Sequence, residues 1–396
     1  MNERPNLVRR TVFPRSDSRA VVTPLQPSVV YASPDPDALD AQYEGRAKGY
    51  TYGREGHPNA DVLAAMIDLM EGGPFEEGQG GIVTGSGMSA VTATLLGLLS
   101  AGDHVVGGNQ LYGRSLRMLT QDLPRWGIAA TLANPTDLQA MEAAIRPETR
   151  LLLVEVVSNP TLRIADMAGI ERLARERELI LVVDNTFTTP YAFRAFDRGA
   201  DVVIHSVTKL LAGHSDVTLG YVLARDPARR KAVYDTNVTL GLTPSPWDCW
   251  MAERGLYTFD LRFERAQANA AALADLIADH PAVEAAIYPG RTDHPDHDRA
   301  RDLLGGQFGN MVSFRLKGGR DEANALARAA PQIAFAPTLG DVGTTLSHPA
   351  SSSHRALTPE ARADLGITEG FYRVSVGCEP FDLLARDFGA ALDAAR

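Results

Sequence analysis

The chain has 396 residues, 44% of them hydrophobic and 22% charged, proportions of a globular protein large enough for two domains. Its formal net charge of −10 argues against nucleic acid or an anionic membrane surface as a partner. Nothing basic and extended offsets that charge, and the tightest basic cluster, Arg229-Arg230-Lys231, reads as a solvated helix face.

The N-terminal MNERPNLVRR lacks the apolar core of a signal peptide, and no apolar run reaches the length of a membrane span. A cytoplasmic protein is expected. Residues 1–60 carry Pro24, Pro27, Pro34 and Pro36 and show little helical periodicity, so they read as an arm lying on the main domain or on a neighbouring subunit. Val62, Leu63, Met66, Ile67 and Met70 recur at helical spacing and predict a helix over 60–70, stopped by Gly72-Gly73. The glycine-rich run from Gly81 to Met88 then opens an apolar helix over 89–99. Such a turn is either an anion site, because free amides and the helix dipole point at the ligand, or a plain tight turn.

Residues 103–106 and 151–157 read as buried strands, the second stopping at Ser158-Asn159-Pro160, and a helix is expected over 166–177. Two further apolar runs, 179–183 and 201–204, stop at Asp184 and at His205-Ser206, the latter continuing to Thr208-Lys209. This strand–helix–strand rhythm predicts an α/β fold with a parallel sheet covered on both faces. Open sheets of this kind bind ligands at the carboxyl ends of their strands. There Lys209 can condense with an aldehyde cofactor, Asp184 can keep a ring nitrogen protonated, and Ser206 and Thr208 can donate to a phosphate. Read alone, the same residues also suit polar ends of two strands.

From Pro246 the character changes, and an alanine-rich helix over 261–277 is expected to lead into a smaller α/β domain. His294 and His297 lie with aspartates in a proline-containing turn and read as solvated loop residues, with no metal site assigned. Cys249 and Cys378 are the only cysteines and form no CxxC; they read as buried packing, not as a disulfide, a zinc site or nucleophiles.

Val183-Asp184-Asn185-Thr186-Phe187, His205-Ser206-Val207-Thr208-Lys209 and Gly213-His214-Ser215-Asp216 resemble the cystathionine synthase/lyase family, pyridoxal phosphate (PLP) enzymes of cysteine and methionine metabolism. The likeness runs along nearly the whole chain. It implies the PLP fold-type I (aspartate aminotransferase-like) architecture: an arm over 1–60 reaching the neighbouring subunit's site, a PLP-binding domain over 61–248 and a C-terminal domain over 249–396. It also implies a homotetramer built from dimers with shared sites.

By the same resemblance Lys209 carries PLP, Asp184 supports its ring nitrogen, and Ser86, Gly87 and Met88 cradle the phosphate with Ser206 and Thr208. Tyr52 and Arg54 match the element that reaches the phosphate of the adjacent subunit, although His57-Pro58-Asn59 stands where Asn-Pro-Thr is usual. Tyr112 would stack on the ring and protonate a leaving group. Arg373, Asn159 and Thr338 would hold the amino-acid substrate, Arg373 by its α-carboxylate.

Two departures bear on the substrate. Arg114 occupies a place that is cysteine in typical methionine γ-lyases, and Gly343 replaces a glutamate that faces the distal amino group in γ-synthases and γ-lyases. Thr344-Thr345, His348-Pro349-Ala350 and Ser353-His354 look closer to the homoserine-ester sulfhydrylase branch. The implied activity is γ-elimination or γ-replacement on a γ-substituted L-amino acid of the cystathionine type. An O-acylhomoserine sulfhydrylase or a lyase of another γ-substituted amino acid is the alternative. Cystathionine β-elimination and a PLP-binding protein without turnover rank below both.

Overall fold

The computed structural model describes residue 14 and residues 16–396, with 77 and 356 excepted; the remainder of the expected arm, residues 1–13 and 15, lies outside the described residues. Among the described residues twelve strands form two sheets. The first contains β1 (Ile82–Thr84), β2 (His104–Gly108), β3 (Ala129–Ala133), β4 (Thr149–Glu155), β5 (Ile180–Asp184), β6 (Val202–His205) and β7 (Gly220–Ala224). The second contains β8 (Val283–Ile287), β9 (Met311–Leu316), β10 (Ala334–Phe335), β11 (Thr345–Ser347) and β12 (Phe371–Ser375).

The first sheet runs β1-β7-β6-β5-β4-β2-β3. Its strands are parallel except β7, which opposes both β1 and β6. The sheet is thus the expected parallel one with a single reversed strand: β6 returns to β7 without a helical crossover, as antiparallel neighbours allow. Alternation divides the strand residues between two covered faces. Leu151, Leu153, Val182, Val202 and Ile204 pack with Ala90, Val91 and Val233 of the helices Gly87–Leu98 and Pro227–Thr239. Leu152, Val154, Leu181, Val183 and Val203 pack on the other side with Leu63, Ile67, Ile170 and Leu173 of the helices Pro58–Met70 and Met167–Glu176. Burial of each such side chain contributes about 1.5–3 kcal/mol, so a charge introduced at Val182 or Val203 would break one face.

The second sheet runs β10-β11-β12-β9-β8. Tyr372 and Val374 of β12 face a separate core built with Leu273 and Phe388 of the helices Phe259–Ala278 and Phe381–Asp393. Arg373, between them, is thereby turned to the opposite face, towards the first sheet. Its neighbours across the ladder, Ser313 and Ser347, keep that face polar, and Ser313 donates to the Pro160 carbonyl at 2.7 Å.

In the arm, the helix Pro36–Tyr43 departs from the sequence reading. It buries no residue, so it has no apolar stripe to reveal it. Its start is set by Asp35, whose carboxylate accepts the Ala38 amide at 2.8 Å, and by Pro36 in the first turn. The His57 substitution also has a local logic. Its Nδ1 accepts the Ala60 amide at 3.1 Å and so caps the helix Pro58–Met70.

Candidate active site

The chemistry-bearing residues gather where the carboxyl ends of β4, β5 and β6 meet the second sheet. The helix Gly87–Leu98 begins here. Ser86 caps it by accepting the Ser89 amide at 3.0 Å, which leaves the amides of Gly87 and Met88 without intrahelical acceptors and free to receive an anion. Gly87 lies so close to β6 that a Cβ on it would stand 2.7 Å from Cβ of Ser206. A glycine is needed for that approach. Met88 Sδ receives a long contact of 4.0 Å from the Ser115 hydroxyl, tying the helix to the Tyr112 segment.

Asp184 ends β5 and is half-buried. Thr186 fixes it, donating its amide at 3.1 Å and its hydroxyl at 2.6 Å to the same Oδ1, and the Thr186 hydroxyl in turn accepts the Ser206 amide at 2.9 Å. Burial raises the pKa of Asp184 above the usual carboxylate value, while the Thr186 bonds and the nearby His205 pull it down.

Lys209 sits one turn beyond β6, its amide bonded to the Ser206 carbonyl at 3.0 Å. Burial and then the Arg373 charge lower its pKa, so its amine releases a proton more readily than a surface lysine. The turn is clamped from two sides. Arg262 donates to the carbonyls of Leu210, Leu211 and Gly255 at 2.9, 3.0 and 2.9 Å. Gly340, at φ +84°, comes so near that a Cβ would stand 2.5 Å from the Leu210 amide nitrogen. Thr208 spends its hydroxyl on Leu219, donating to the carbonyl at 3.1 Å and accepting the amide at 2.9 Å.

Arg373 crosses from the second sheet. Its Nη1 donates to Asn159 Oδ1 at 2.6 Å and its Nη2 to the Thr338 carbonyl at 2.8 Å, while Nε is buried without a partner. Thr338 thus meets Arg373 through its backbone carbonyl. Burial lowers the Arg373 pKa to about 10, with Tyr112 and Glu155 acting in the opposite sense. Tyr112 is 42% exposed and lies within electrostatic reach of that guanidinium.

Tyr52 and Arg54 are not brought to this group within the chain. Arg54 lies over the Tyr52 ring at 5.1 Å, Tyr52 pairs with Val30, and the loop is tied to Tyr234, which donates to the Glu55 carbonyl at 2.6 Å. His294 and His297 also lie elsewhere: His294 accepts the Asp296 amide at 3.1 Å, and Asp296 is committed to Arg163. Among the described residues no cluster could hold a metal ion, and no helix is long and apolar enough to cross a membrane. Cys249 is buried and Cys378 half-buried.

Sequence reading assigned no role to three residues. Glu155, at the end of β4, accepts the Tyr112 amide at 2.7 Å, and a carboxylate closing the apolar run 151–154 was its visible signal. His205 and Glu71 form a buried pair at 2.5 Å on the opposite face of the sheet; nothing in the sequence links residues so far apart.

The helix start at Gly87, the Lys209 amine of lowered proton affinity, the Asp184 carboxylate and Arg373 with its unpartnered Nε gather at this end of the sheet. The Cys/Met metabolism PLP-dependent enzyme family matches residues 6–393. The chain belongs to this family. It is 37% identical over 401 residues to an L-methionine gamma-lyase of Pseudomonas putida, covering 99% of this chain and 98% of that protein. It is 37% identical over 354 residues to an O-succinylhomoserine sulfhydrylase of Pseudomonas aeruginosa, covering 89% and 86%. The solved cystathionine gamma synthase of Xanthomonas oryzae pv. oryzae, in complex with aminoacrylate and cysteine, superposes with a TM-score of 0.88 at 36% identity, covering 95% and 94%. The fold is PLP fold-type I, the cofactor is PLP, and the activity class is PLP-dependent γ-elimination or γ-replacement. The Lys209 amine, the free amides at the helix start and the Asp184 carboxylate fit that cofactor.

Proposed function

We propose that this enzyme acts on an O-acylhomoserine, replacing the acyloxy group on the γ-carbon by a sulfur nucleophile. In that replacement the γ-carbon–oxygen bond breaks, the acid leaves with the proton that Tyr112 supplies and ionises in solution, and a γ-carbon–sulfur bond forms as the S–H proton of the nucleophile returns to the phenolate. Gly343 carries the reading. It places no carboxylate where a distal ammonium would need one, and the two nearby are engaged: Asp341 accepts the Gly343 amide at 2.8 Å, and Glu379 accepts the amide and hydroxyl of Thr344. Arg114, exposed at the start of the helix Gly113–Arg117, adds positive charge beside Tyr112, which suits an anionic acyl group better than a cationic one.

The residues divide the work. Lys209 would hold PLP through Nζ, the amides of Gly87 and Met88 with Ser86 and Ser206 would receive its phosphate, and Asp184 would keep the ring nitrogen protonated. Thr208 assists by holding the Lys209 turn. When bound, the cofactor supplies an electron sink for a carbanion formed on the substrate. Arg373 presents its unpartnered Nε to the α-carboxylate, and Asn159 holds that guanidinium in place. The Lys209 amine takes the α-proton and carries protons between neighbouring carbons. Tyr112 gives its phenolic proton to the departing oxygen.

Cystathionine cleavage is the second reading. Asp341 Oδ1 and Glu379 Oε1 lie 3.3 and 3.9 Å from where a Gly343 Cβ would stand, so a distal ammonium would meet negative charge there if either carboxylate were released. Comparing the initial rates of thiol formation from O-succinylhomoserine plus sulfide with 2-oxobutanoate formation from L-cystathionine separates the two.

We further place the enzyme in the cytoplasm as a homotetramer with sites shared between subunits. The arm supports this, with Val21, Val22, Val29 and Val30 more than half exposed and with Tyr52 and Arg54 away from their own cleft. Mixing inactive Arg54→Ala and Lys209→Ala variants through a dissociation–reassociation cycle should restore activity, because some sites then combine the intact half of each; no recovery would contradict sharing.

A further inference from the structure

Two carboxyl groups stand side by side at the ends of β4 and β5. Glu155 is in register with Asp184. Counting from Leu153 and Val182, both point to the face that carries the helix Gly87–Leu98. Asp184 is held by Thr186, whereas Glu155 reaches the other way: its Oε1 accepts the Tyr112 amide at 2.7 Å, and its Oε2 is sealed from solvent without a partner.

Tyr112 has little else to fix it. Its side chain makes no hydrogen bond among the described residues, and it caps the five-residue helix Gly113–Arg117 without side-chain help. Above it, the loop carrying Ser353 closes down, so that a Cβ on Gly113 would stand 2.5 Å from the Ser353 carbonyl oxygen. The segment is therefore gripped between that loop and Glu155. Burial and the adjacent Asp184 raise the Glu155 pKa well above the carboxylate range, against the opposing pull of the Tyr112 amide and Arg373. A neutral carboxyl still offers the oxygen that the amide needs.

We infer that Glu155 is a positioning residue whose carboxyl oxygen sets the Tyr112 backbone, and with it the phenol, over the Lys209 group. The inference rests on the reading of Tyr112 as proton donor. It assigns Glu155 an acceptor role in which charge is dispensable. A glutamine, which keeps an acceptor oxygen in the same place, should therefore serve, and a leucine of similar size should not.

The test compares holoenzyme carrying Glu155→Gln, Glu155→Leu, Tyr112→Phe and the Leu/Phe double substitution, measuring kcat, KM and hydrogen exchange of the peptide over 109–117. Glu155→Gln should keep kcat within about threefold of the parent, with exchange unchanged. Glu155→Leu should lower kcat about 10- to 100-fold with KM nearly constant, and should speed exchange over 109–117. In the Tyr112→Phe background the same leucine should cost less than about threefold, because the phenol it positions is already gone.

Equal costs in both backgrounds, unchanged exchange in Glu155→Leu, or a glutamine variant as impaired as the leucine one would each overturn the inference while leaving the Tyr112 reading intact. Full activity of Tyr112→Phe would overturn both. Glu155→Ala replaces the leucine variant if that one does not fold, with the same outcomes.

Discussion

Arg373 on β12 donates Nη1 to Asn159 Oδ1 at 2.6 Å, joining residues 214 positions apart. With Nη2 on the Thr338 carbonyl, two sides of the guanidinium are set by the protein and Nε remains for a ligand. Lysine cannot reproduce this fork. Arg373→Lys is expected to raise KM for the amino-acid substrate about 100-fold while leaving the absorbance of bound cofactor unchanged. Steady-state kinetics beside a visible spectrum check it; an unaltered KM would remove Arg373 from substrate binding.

Much of this arrangement was legible from the sequence. The apolar runs that stop at Asp184 and at His205-Ser206 marked two strands, and their ends are where an open sheet places its ligands. The glycine-rich turn before the helix at Gly87 was visible as well, but the close approach to Ser206 that requires glycine there was not. What escaped was set by tertiary contact. Glu155 acquires meaning only when β4 meets Tyr112, 43 positions away in the chain. Thr338 meets Arg373 through a carbonyl, which every residue has. The helix Pro36–Tyr43 has no buried face, and β7 turned against its neighbours because of a short return that periodicity does not encode.

Acid should destabilise the protein through buried neutral histidines. Burial, and then Arg373, push His354 down to about 4 from an ordinary 6.5. The unfolded chain thus takes up this proton first as the pH falls. The stabilisation is full above about pH 6.5 and is lost on the way down to about pH 4, amounting to about 3 kcal/mol at most. His354→Gln should shrink the fall in Tm between about pH 7.5 and about pH 5 measured with saturating cofactor. An identical fall in both proteins would contradict this.

Arg262 closes the turn that bears Lys209. Its guanidinium reaches three carbonyls at once, and Gly213, at φ +76°, leaves the space that the guanidinium occupies. Arg262→Leu is expected to cost about 2–4 kcal/mol in urea unfolding and to weaken PLP retention on dialysis. Undiminished stability with normal retention would show that the turn holds itself.

Gly343 invites a substitution that tests substrate choice. A Cβ there would meet Asp341 Oδ1 at 3.3 Å, the end of a side chain that can move aside. Gly343→Glu is expected to raise kcat/KM for cystathionine about tenfold relative to a homoserine ester, the worth of one charge partner. Parallel assays on both substrates check it, and a ratio that does not move would place the distal group elsewhere.

The most direct test of the proposed reaction supplies the purified, PLP-loaded enzyme with O-succinylhomoserine and sulfide, and separately with L-cystathionine alone. The account requires faster release of succinate with homocysteine from the first mixture than of any keto acid from the second. Rapid 2-oxobutanoate from cystathionine, with the ester left untouched, would contradict it and make the enzyme a γ-lyase in spite of Gly343.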